Sequence, residues 1–446
     1  MRAFRRLRRN FEHGVHPAHF KEQTADLPIQ RVPFGKHYVM PLSQHIGVPA
    51  QAVVTAGERV MRGQLIAEPG GFVSTGLHSP VTGTVREIGD FRGVDGRFAP
   101  AIAIEADAFA TQQVDAGDGI DWKAMSLEEF IKAVQMAGIV GMGGAAFPAH
   151  VKLSVPDGIT IRHLLINGAE CEPYLTTDHR LMLERPEALL EGAEIMRQKL
   201  GAEETVIGIE ANKPDAIAII QQHIAPGDPV RVVPLKVKYP QGAEKMMIKS
   251  VFDVEVPAGQ LPRDVGVNVN NVGTIVAIAD YFMRGIPLIE RVVTVAGPGV
   301  TYPANLIVPL GTPVRDVVKF CGGLKPGTRE MIMGGPMMGR PIASLDVPIL
   351  KGCSGILVFT EAETARRKEY PCISCGRCLE ACPYFLNPSR LARLSKARMF
   401  DEMKAYNVFD CVECGCCTFA CPSNIPIVQL IRTAKDDLTH RKDPDA

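Results

Sequence analysis

The sequence predicts a multidomain protein, part β and part α/β, that ends in a helical, cysteine-rich module. Three observations carry this. The chain of 446 residues, 46% of them hydrophobic, can fill roughly two to four cores at ~150 residues each. From about residue 161, apolar strands alternate with amphipathic helices. Near the end, four cysteines and a proline recur at one spacing, in YPCISCGRCLEACP at 370–383 and FDCVECGCCTFACP at 409–422.

The chain opens with MRAFRRLRRNF, five arginines in nine residues without a carboxylate. A solvated arm is one reading, and contact with anionic lipid or an acidic partner protein is another. The whole chain has 49 basic and 49 acidic residues, so no overall field favours nucleic acid. No apolar run reaches the ~18 residues of a membrane span; VGTIVAIADYF stops at Asp280, and the start lacks the apolar core of a secretory signal. A soluble or peripheral, cytoplasmic protein is expected, in which a disulfide framework is not.

Next, GERVMRGQLIAE and LHSPVTGTVREIG resemble a lipoyl or biotinyl carrier fold, a flattened barrel of two hairpin-linked halves. A carrier needs a lysine at its exposed turn. Residues 64–83 contain none and EPGG occupies the expected tip, so no covalent attachment is expected.

The α/β unit reads as strand IRHLLIN, helix PEALLEGAEIMRQKL closed by Gly201, strand ETVIGI, helix KPDAIAIIQQHI and strand VRVVPL. Before it, GIVGMGGAAFPAHVKL offers Gly141, Gly143, Gly144 and Ala146 as a loop whose amides can cradle a phosphate, with Pro148 at a helix start. GxGxxA fits, yet no strand precedes it and no acid follows at the distance of a dinucleotide turn. On this stretch alone, a cofactor loop and tight helix packing both stay open. Further on, RVVTVAGPGVTYPANLIVPLGTPVRDVVKFCGGL reads as strands, a turn and a short helix.

In the cysteine runs, Cys372, Cys375, Cys378 and Cys382 precede Pro383, and Cys411, Cys414, Cys417 and Cys421 precede Pro422. Zinc takes two separated pairs, which leaves the third and fourth cysteines of each run without a purpose. A [4Fe-4S] cube uses them all. Three thiolates at intervals of three wrap one cube, and the fourth ligates the cube of the other run. Gly376 and Gly415 allow close backbone approach. Cys416 is an extra thiol; Cys417 keeps the spacing. Between the runs Leu391, Leu394 and Met399 stand at near-helical intervals, which predicts one or two helices and a helical ferredoxin module. Cys171, Cys321 and Cys353 are expected as small buried hydrophobes.

Several of these stretches together resemble a known family. GMGGAAFPAHVKL resembles the glycine-rich flavin loop of the NADH-oxidising flavoprotein of respiratory complex I; INGAECEPYLTTDHRLM, YPQGAEK and NVNNVGT resemble its other flavin segments. With FEHGVHPAHFK near the start and two ferredoxin motifs near the end, the chain is more similar to the C subunits of Rnf (Rsx) ion-translocating electron-transport complexes. The resemblance implies a basic arm and lead-in at 1–30, a barrel-sandwich (lipoyl-like) domain at 31–110 and a Rossmann-like FMN/NADH domain at 111–290. A β-grasp domain of the soluble-ligand-binding type follows at 291–350, then a ferredoxin domain with two [4Fe-4S] clusters at 351–446.

Carried over by position, the family's flavin contacts fall on Gly141, Gly143, Gly144, Lys152, Asn167, Glu170, Tyr239, Gly242, Asn270, Asn271 and Thr274. Phe147, Glu172 and Glu244 match positions that meet the nicotinamide nucleotide. Met142, Ala169 and Ala243 depart from the complex I pattern, which has an arginine, an aspartate and a glutamate there. The implied function is reversible electron transfer between NAD(H) and partner subunits through noncovalent FMN and two clusters. No side chain is catalytic, because the flavin accepts the hydride. The implied partners are integral-membrane and iron-sulfur subunits, with ferredoxin or flavodoxin reached indirectly and no nucleic acid, on the cytoplasmic face of the bacterial inner membrane. A soluble flavin and iron-sulfur reductase of the cobalamin-reductase type, and a flavin-free electron relay, are the alternatives.

Overall fold

A computed structural model describes residues 10–114, 117, 119–365 and 367–440. The arginine-rich start, read as a solvated arm or a lipid or partner contact, lies outside the described residues. Among the described residues no helix is long and apolar enough to cross a membrane.

After the first strand of the chain, two small antiparallel sheets form the amino-terminal module. One holds His37–Pro41, Arg59–Val60, Gly83–Arg92 and Phe98–Ala106, the other Gln51–Ala52, Leu65–Glu68 and Leu77–His78. Alternation supplies the core: Tyr38 and Met40 point inward with Ile102 and Ile104 opposite. The EPGG turn is not the free tip of a carrier. A Cβ at Gly70 would stand 2.2 Å from Pro49 O, and Gln135 of the helix Leu127–Met136 donates to Gly71 O (3.0 Å). Docking, besides the missing lysine, removes a swinging arm.

The central sheet is parallel, with strands β1 (His163–Gly168), β2 (Glu204–Glu210), β3 (Val230–Leu235) and β4 (Val267–Asn271) in spatial order β3-β2-β1-β4. Helices α1 (Thr177–Glu184), α2 (Pro186–Leu200), α3 (Pro214–His223), α4 (Glu244–Phe252) and α5 (Val272–Arg284) accompany it. Pro186 opens α2, and Gly201 closes it at φ 64°. Gly192 lets α2 touch α5 backbone to backbone, since a Cβ there would lie 2.1 Å from Ile275 O. The strand order matters more. From β1 the chain builds outward through β2 to β3 and then returns to the other side of β1, so a crevice opens between the carboxyl ends of β1 and β4.

A six-stranded sheet follows, in the order Ile29–Arg31, Ala304–Pro309, Glu290–Ala296, Gly355–Thr360, Thr328–Met333 and Arg340–Pro341. This corrects two expected boundaries. The division at 30/31 falls within its edge strand, and Gly355–Thr360, expected in the ferredoxin domain, is an inner strand. GILVFT is buried at all but its last residue, and only a sheet interior covers both faces of such a run.

In the carboxyl-terminal module the helices Pro388–Lys396 and Ile427–His440 bury Leu391, Leu394, Val428 and Ile431 against each other. Met399, expected on the same apolar face, lies past the helix end and is 43% exposed. The chain turns at Arg398 with φ 56°, which takes Met399 off that face.

The modules meet around two buried cations. Lys351 Nζ donates to Gly76 O (2.7 Å), Gly138 O (2.7 Å) and Thr75 Oγ1 (3.1 Å), and burial pulls its pKa down to about 7. Arg291 donates to Lys351 O and Met142 O, both at 2.6 Å.

Beside Lys351 sit two buried histidines. Burial, reinforced by the Lys351 charge, lowers His78 to about 3 and His45 to about 4. An unfolded histidine titrates near ~6.5, so in the window below that value the unfolded chain binds protons that the fold refuses. The contribution of these two histidines to stability is therefore complete above about pH 6.5 and declines as pH falls toward 4. Thermal melts stepped from pH 7 to pH 4 should show a falling midpoint that His45→Gln and His78→Gln each flatten. Parallel pH profiles for parent and variants would refute this.

Candidate functional site

The crevice between β1 and β4 collects most of the expected cofactor residues. Asn167 is the penultimate residue of β1; Asn270 and Asn271 end β4, and Asn271 caps α5 by accepting Gly273 N–H (2.8 Å). The glycine loop crosses above. Met142 N–H donates to Thr274 Oγ1 (2.9 Å), whose hydroxyl donates to Val140 O (3.2 Å), and Gly141 N–H reaches Phe147 O (2.7 Å). Gly143 faces Asn271, with 3.7 Å between its Cβ direction and Asn271 Cβ, and Gly144 (φ 112°) has open space there. Lys152 forms an ion pair with Glu244 and donates to Val269 O (3.1 Å).

The turn at 239–242 closes the crevice on a third side. Asn167 Nδ2 donates to Gly242 O (2.8 Å), and a Cβ at Gly242 would stand 2.7 Å from Ala169 O. This set fits a phosphate-bearing flavin. It combines open glycine backbone, one ammonium, a helix amino terminus and amide side chains that donate and accept.

Two of the expected flavin contacts have their polar atoms engaged within the chain. Glu170 is 6% exposed, and its carboxylate accepts from Thr177 Oγ1 (2.9 Å), Asp178 N–H (3.0 Å) and His179 N–H (3.4 Å), which makes it an anchor for the start of α1. Tyr239 exchanges both backbone bonds with Val15 at 2.9 Å and donates its hydroxyl to Cys414 O (2.8 Å). It joins the crevice to the cysteine module. Glu172 stands nearby, and its carboxylate accepts Met337 and Met338 N–H at 3.0 and 2.9 Å; burial raises its pKa to about 7 against those two bonds.

Two polar residues at this site escape a reading of the sequence. Asp178 accepts from Asn271 Nδ2 (2.7 Å), and burial, then the charge of Glu170, pushes it up to about 7. Arg291 holds the Met142 carbonyl of the glycine loop from below. Asp178 lies within a segment already singled out, whereas a lone arginine in RVVTV signals nothing until the fold is known.

The eight matched cysteines fall into two groups that cross between the runs. Cys382 lines one cavity with Cys411, Cys414 and Cys417, closed by apolar Leu386, Leu391, Val428 and Ile431. Around Cys378, whose thiol pKa is raised chiefly by burial, the neighbouring thiols that raise it further are Cys421, Cys372 and Cys375. The backbones repeat as well. Ser374 and Glu413 have φ 53° and 60°, Gly376 and Gly415 φ 77° and 80°, and each loop gives an N–H···S contact of 3.4 Å, Ser374 to Cys372 and Glu413 to Cys411. Among the described residues no group of three or more cysteines, histidines or carboxylates is placed to hold a single metal ion. Cys416 Sγ lies 4.0 Å from Tyr239 O. Cys321 and Cys353 are buried as expected, and Cys171 is half-buried.

Comparison with known proteins follows this division. Family models match as the RnfC barrel sandwich hybrid domain (9–109), the Nuo51 FMN-binding domain (134–280), the SLBB domain (292–341) and a 4Fe-4S dicluster domain (370–425). The C subunit of the proton-translocating ferredoxin:NAD(+) oxidoreductase complex from Clostridium ljungdahlii is 46% identical, over 96% of this chain and 93% of that one. The counterpart in the Na(+)-translocating complex from Acetobacterium woodii is 40% identical over 95% and 96%. Among solved structures, a chain of an NAD+-reducing [NiFe]-hydrogenase aligns over 71% of this chain and 61% of that one, at 21% identity and a TM-score of 0.49. With relatives this similar over nearly their whole length, the chain belongs to the family of C subunits of ion-translocating ferredoxin:NAD(+) oxidoreductase complexes.

Proposed function

We propose that this chain is the NADH-oxidising peripheral subunit of such a complex and moves electrons reversibly between NAD(H) and partner subunits. The observation that carries the proposal is the turn at 239–242. At one end Gly242 O accepts Asn167 Nδ2 of the crevice (2.8 Å), and at the other the Tyr239 hydroxyl meets Cys414 O (2.8 Å) of the cysteine cavity. A two-electron site and a one-electron centre are thus one turn apart.

Noncovalent FMN supplies hydride acceptance from NADH and release of single electrons, which two [4Fe-4S] clusters carry onward. The chain's residues bind and orient. Lys152, the glycine loop at 141–144 and the start of α5 offset the phosphate, while Asn167, Gly242, Asn270, Asn271 and Thr274 fix the remainder. Phe147, Glu172 and Glu244 meet the nucleotide. Cys382, Cys411, Cys414 and Cys417 hold the inner cluster; Cys372, Cys375, Cys378 and Cys421 hold the outer one, where Cys372 and Cys375 are exposed. Electrons leave there for iron-sulfur and integral-membrane subunits on the cytoplasmic face of the bacterial inner membrane, and ferredoxin is reached through them. Ion movement falls to the membrane subunits. In this reading the modules are a lipoyl-like barrel, a Rossmann-like domain, a β-grasp domain and a helical ferredoxin.

Full-length protein reconstituted with FMN and iron-sulfur should reduce an artificial acceptor with NADH. A flavin-loaded preparation that does not would remove the entry role.

Crosswise ligation has its own test. In low-temperature EPR of the reduced protein, Cys382→Ala should remove the signal that Cys414→Ala removes and spare the one lost in Cys375→Ala. If Cys382→Ala instead matches Cys375→Ala, each run holds its own cluster.

Glu172→Gln should retain FMN and raise KM for NADH about tenfold, the worth of one hydrogen bond to a charged group, with little change in kcat. Loss of FMN from the purified variant would assign Glu172 to flavin binding or to the fold.

A further inference from the structure

The segment FEHGVHPAHFK bridges the cysteine module and two loops of the central module, and nothing in the proposed electron path accounts for it. At its start, Phe11 is buried under Lys238, whose ammonium donates to Phe11 O (2.9 Å) and lies 4.4 Å from the ring centroid. His13 Nδ1–H donates to Cys382 O (3.0 Å), its ring lies 4.5 Å from that of Phe385, and Gly14 N–H donates to Ala381 O (3.2 Å). One residue later Val15 exchanges two backbone bonds of 2.9 Å with Tyr239. His19 O then accepts Tyr174 N–H (2.8 Å), Phe20 stacks on Tyr174 (5.0 Å), and buried Lys21 donates to Glu170 O (2.8 Å) and to Leu175 O.

Within eleven residues this segment therefore grips the loop of Cys382, the turn that closes the crevice, and the 170–175 loop beside it. The grip is tight. Gly14 has φ 82°, and a Cβ there would stand 2.5 Å from Tyr239 O, so a side chain cannot enter without moving the segment or the turn. Separation and orientation of two redox groups govern transfer between them, as geometry governs any positioned reaction.

We propose that residues 11–21 are a strap that sets the position of the Cys382–Cys411–Cys414–Cys417 centre relative to the crevice, with His13 and Gly14 as its positioning residues. The strap takes no part in hydride transfer and ligates nothing. It acts on the following step, in which one electron at a time passes from the reduced crevice cofactor to the inner cluster, with the accompanying proton released to water. This rests on the function proposed above, so the test separates the two.

The test uses full-length protein loaded with FMN and both clusters, in the parent, His13→Ala, His13→Gln and Gly14→Ala forms. FMN and iron contents are measured first, then flavin and cluster absorbance after rapid mixing with NADH. His13→Ala and Gly14→Ala should keep both cofactors and parent-like flavin reduction, while cluster reduction lags about tenfold, within the penalty of an ångström-scale displacement. His13→Gln, which restores a donor to Cys382 O, should recover much of the lag. Amide hydrogen exchange at 376–386 should rise in the slow variants, reporting a loosened grip independently of turnover. Cluster reduction in step with flavin in both variants overturns the strap, and so does loss of FMN or of flavin reduction in His13→Ala, which would assign the segment to the crevice. If NADH fails to reduce the parent flavin, the proposed function fails instead, and photoreduction of the flavin still reads the lag.

Discussion

The carbonyl groups at Gly76, Gly138, Met142 and Lys351 come together where water is excluded, and buried carbonyls need donors. Lys351 and Arg291 supply them. Each is a basic side chain costly to bury in its charged form, and each donates to oxygens of more than one module. Gly138 is fitted to this junction, since a Cβ there would lie 2.7 Å from Lys351 Nζ. The glycine loop is consequently not a free loop on the four-stranded parallel sheet. Its floor is built by the barrel and by the six-stranded sheet, so the shape of the crevice depends on all three.

A second junction faces the cysteines. The hairpin tip at 335–339 gives two amides to Glu172, and Gly415 packs on the same tip, with 3.0 Å between its Cβ direction and Met337 O. Arg432 pairs with Glu413 (2.9 Å), Lys435 with the same carboxylate (2.6 Å) and Arg432 also reaches Met338 O (3.4 Å). The six-stranded sheet thus touches the crevice from below through Arg291 and the inner cysteine loop through its tip. That is a mechanical account of why a module without redox residues sits between the two.

The local elements are legible in the sequence. Helix α2 and strand β3 fall where periodicity and the capping Gly201 put them, and the paired cysteine spacing carries its geometry down to matched backbone turns. What stays hidden is long-range. Gly355–Thr360 reads as part of the wrong module because a short apolar run does not say which sheet covers it. Glu170 and Tyr239 are expected at a flavin by resemblance, yet their polar atoms are taken by α1, Val15 and Cys414. Arg291 cannot be found at all, because its value lies in a carbonyl 149 positions away.

The two cysteine loops repeat one backbone but not one environment. Cys372 and Cys375 are exposed, while Cys382, Cys414 and Cys417 are buried. Dissolved oxygen and thiol reagents therefore reach the two loops on different timescales. A thiol reagent added in small excess to the folded chain would mark Cys372 and Cys375 well before Cys414 and Cys417.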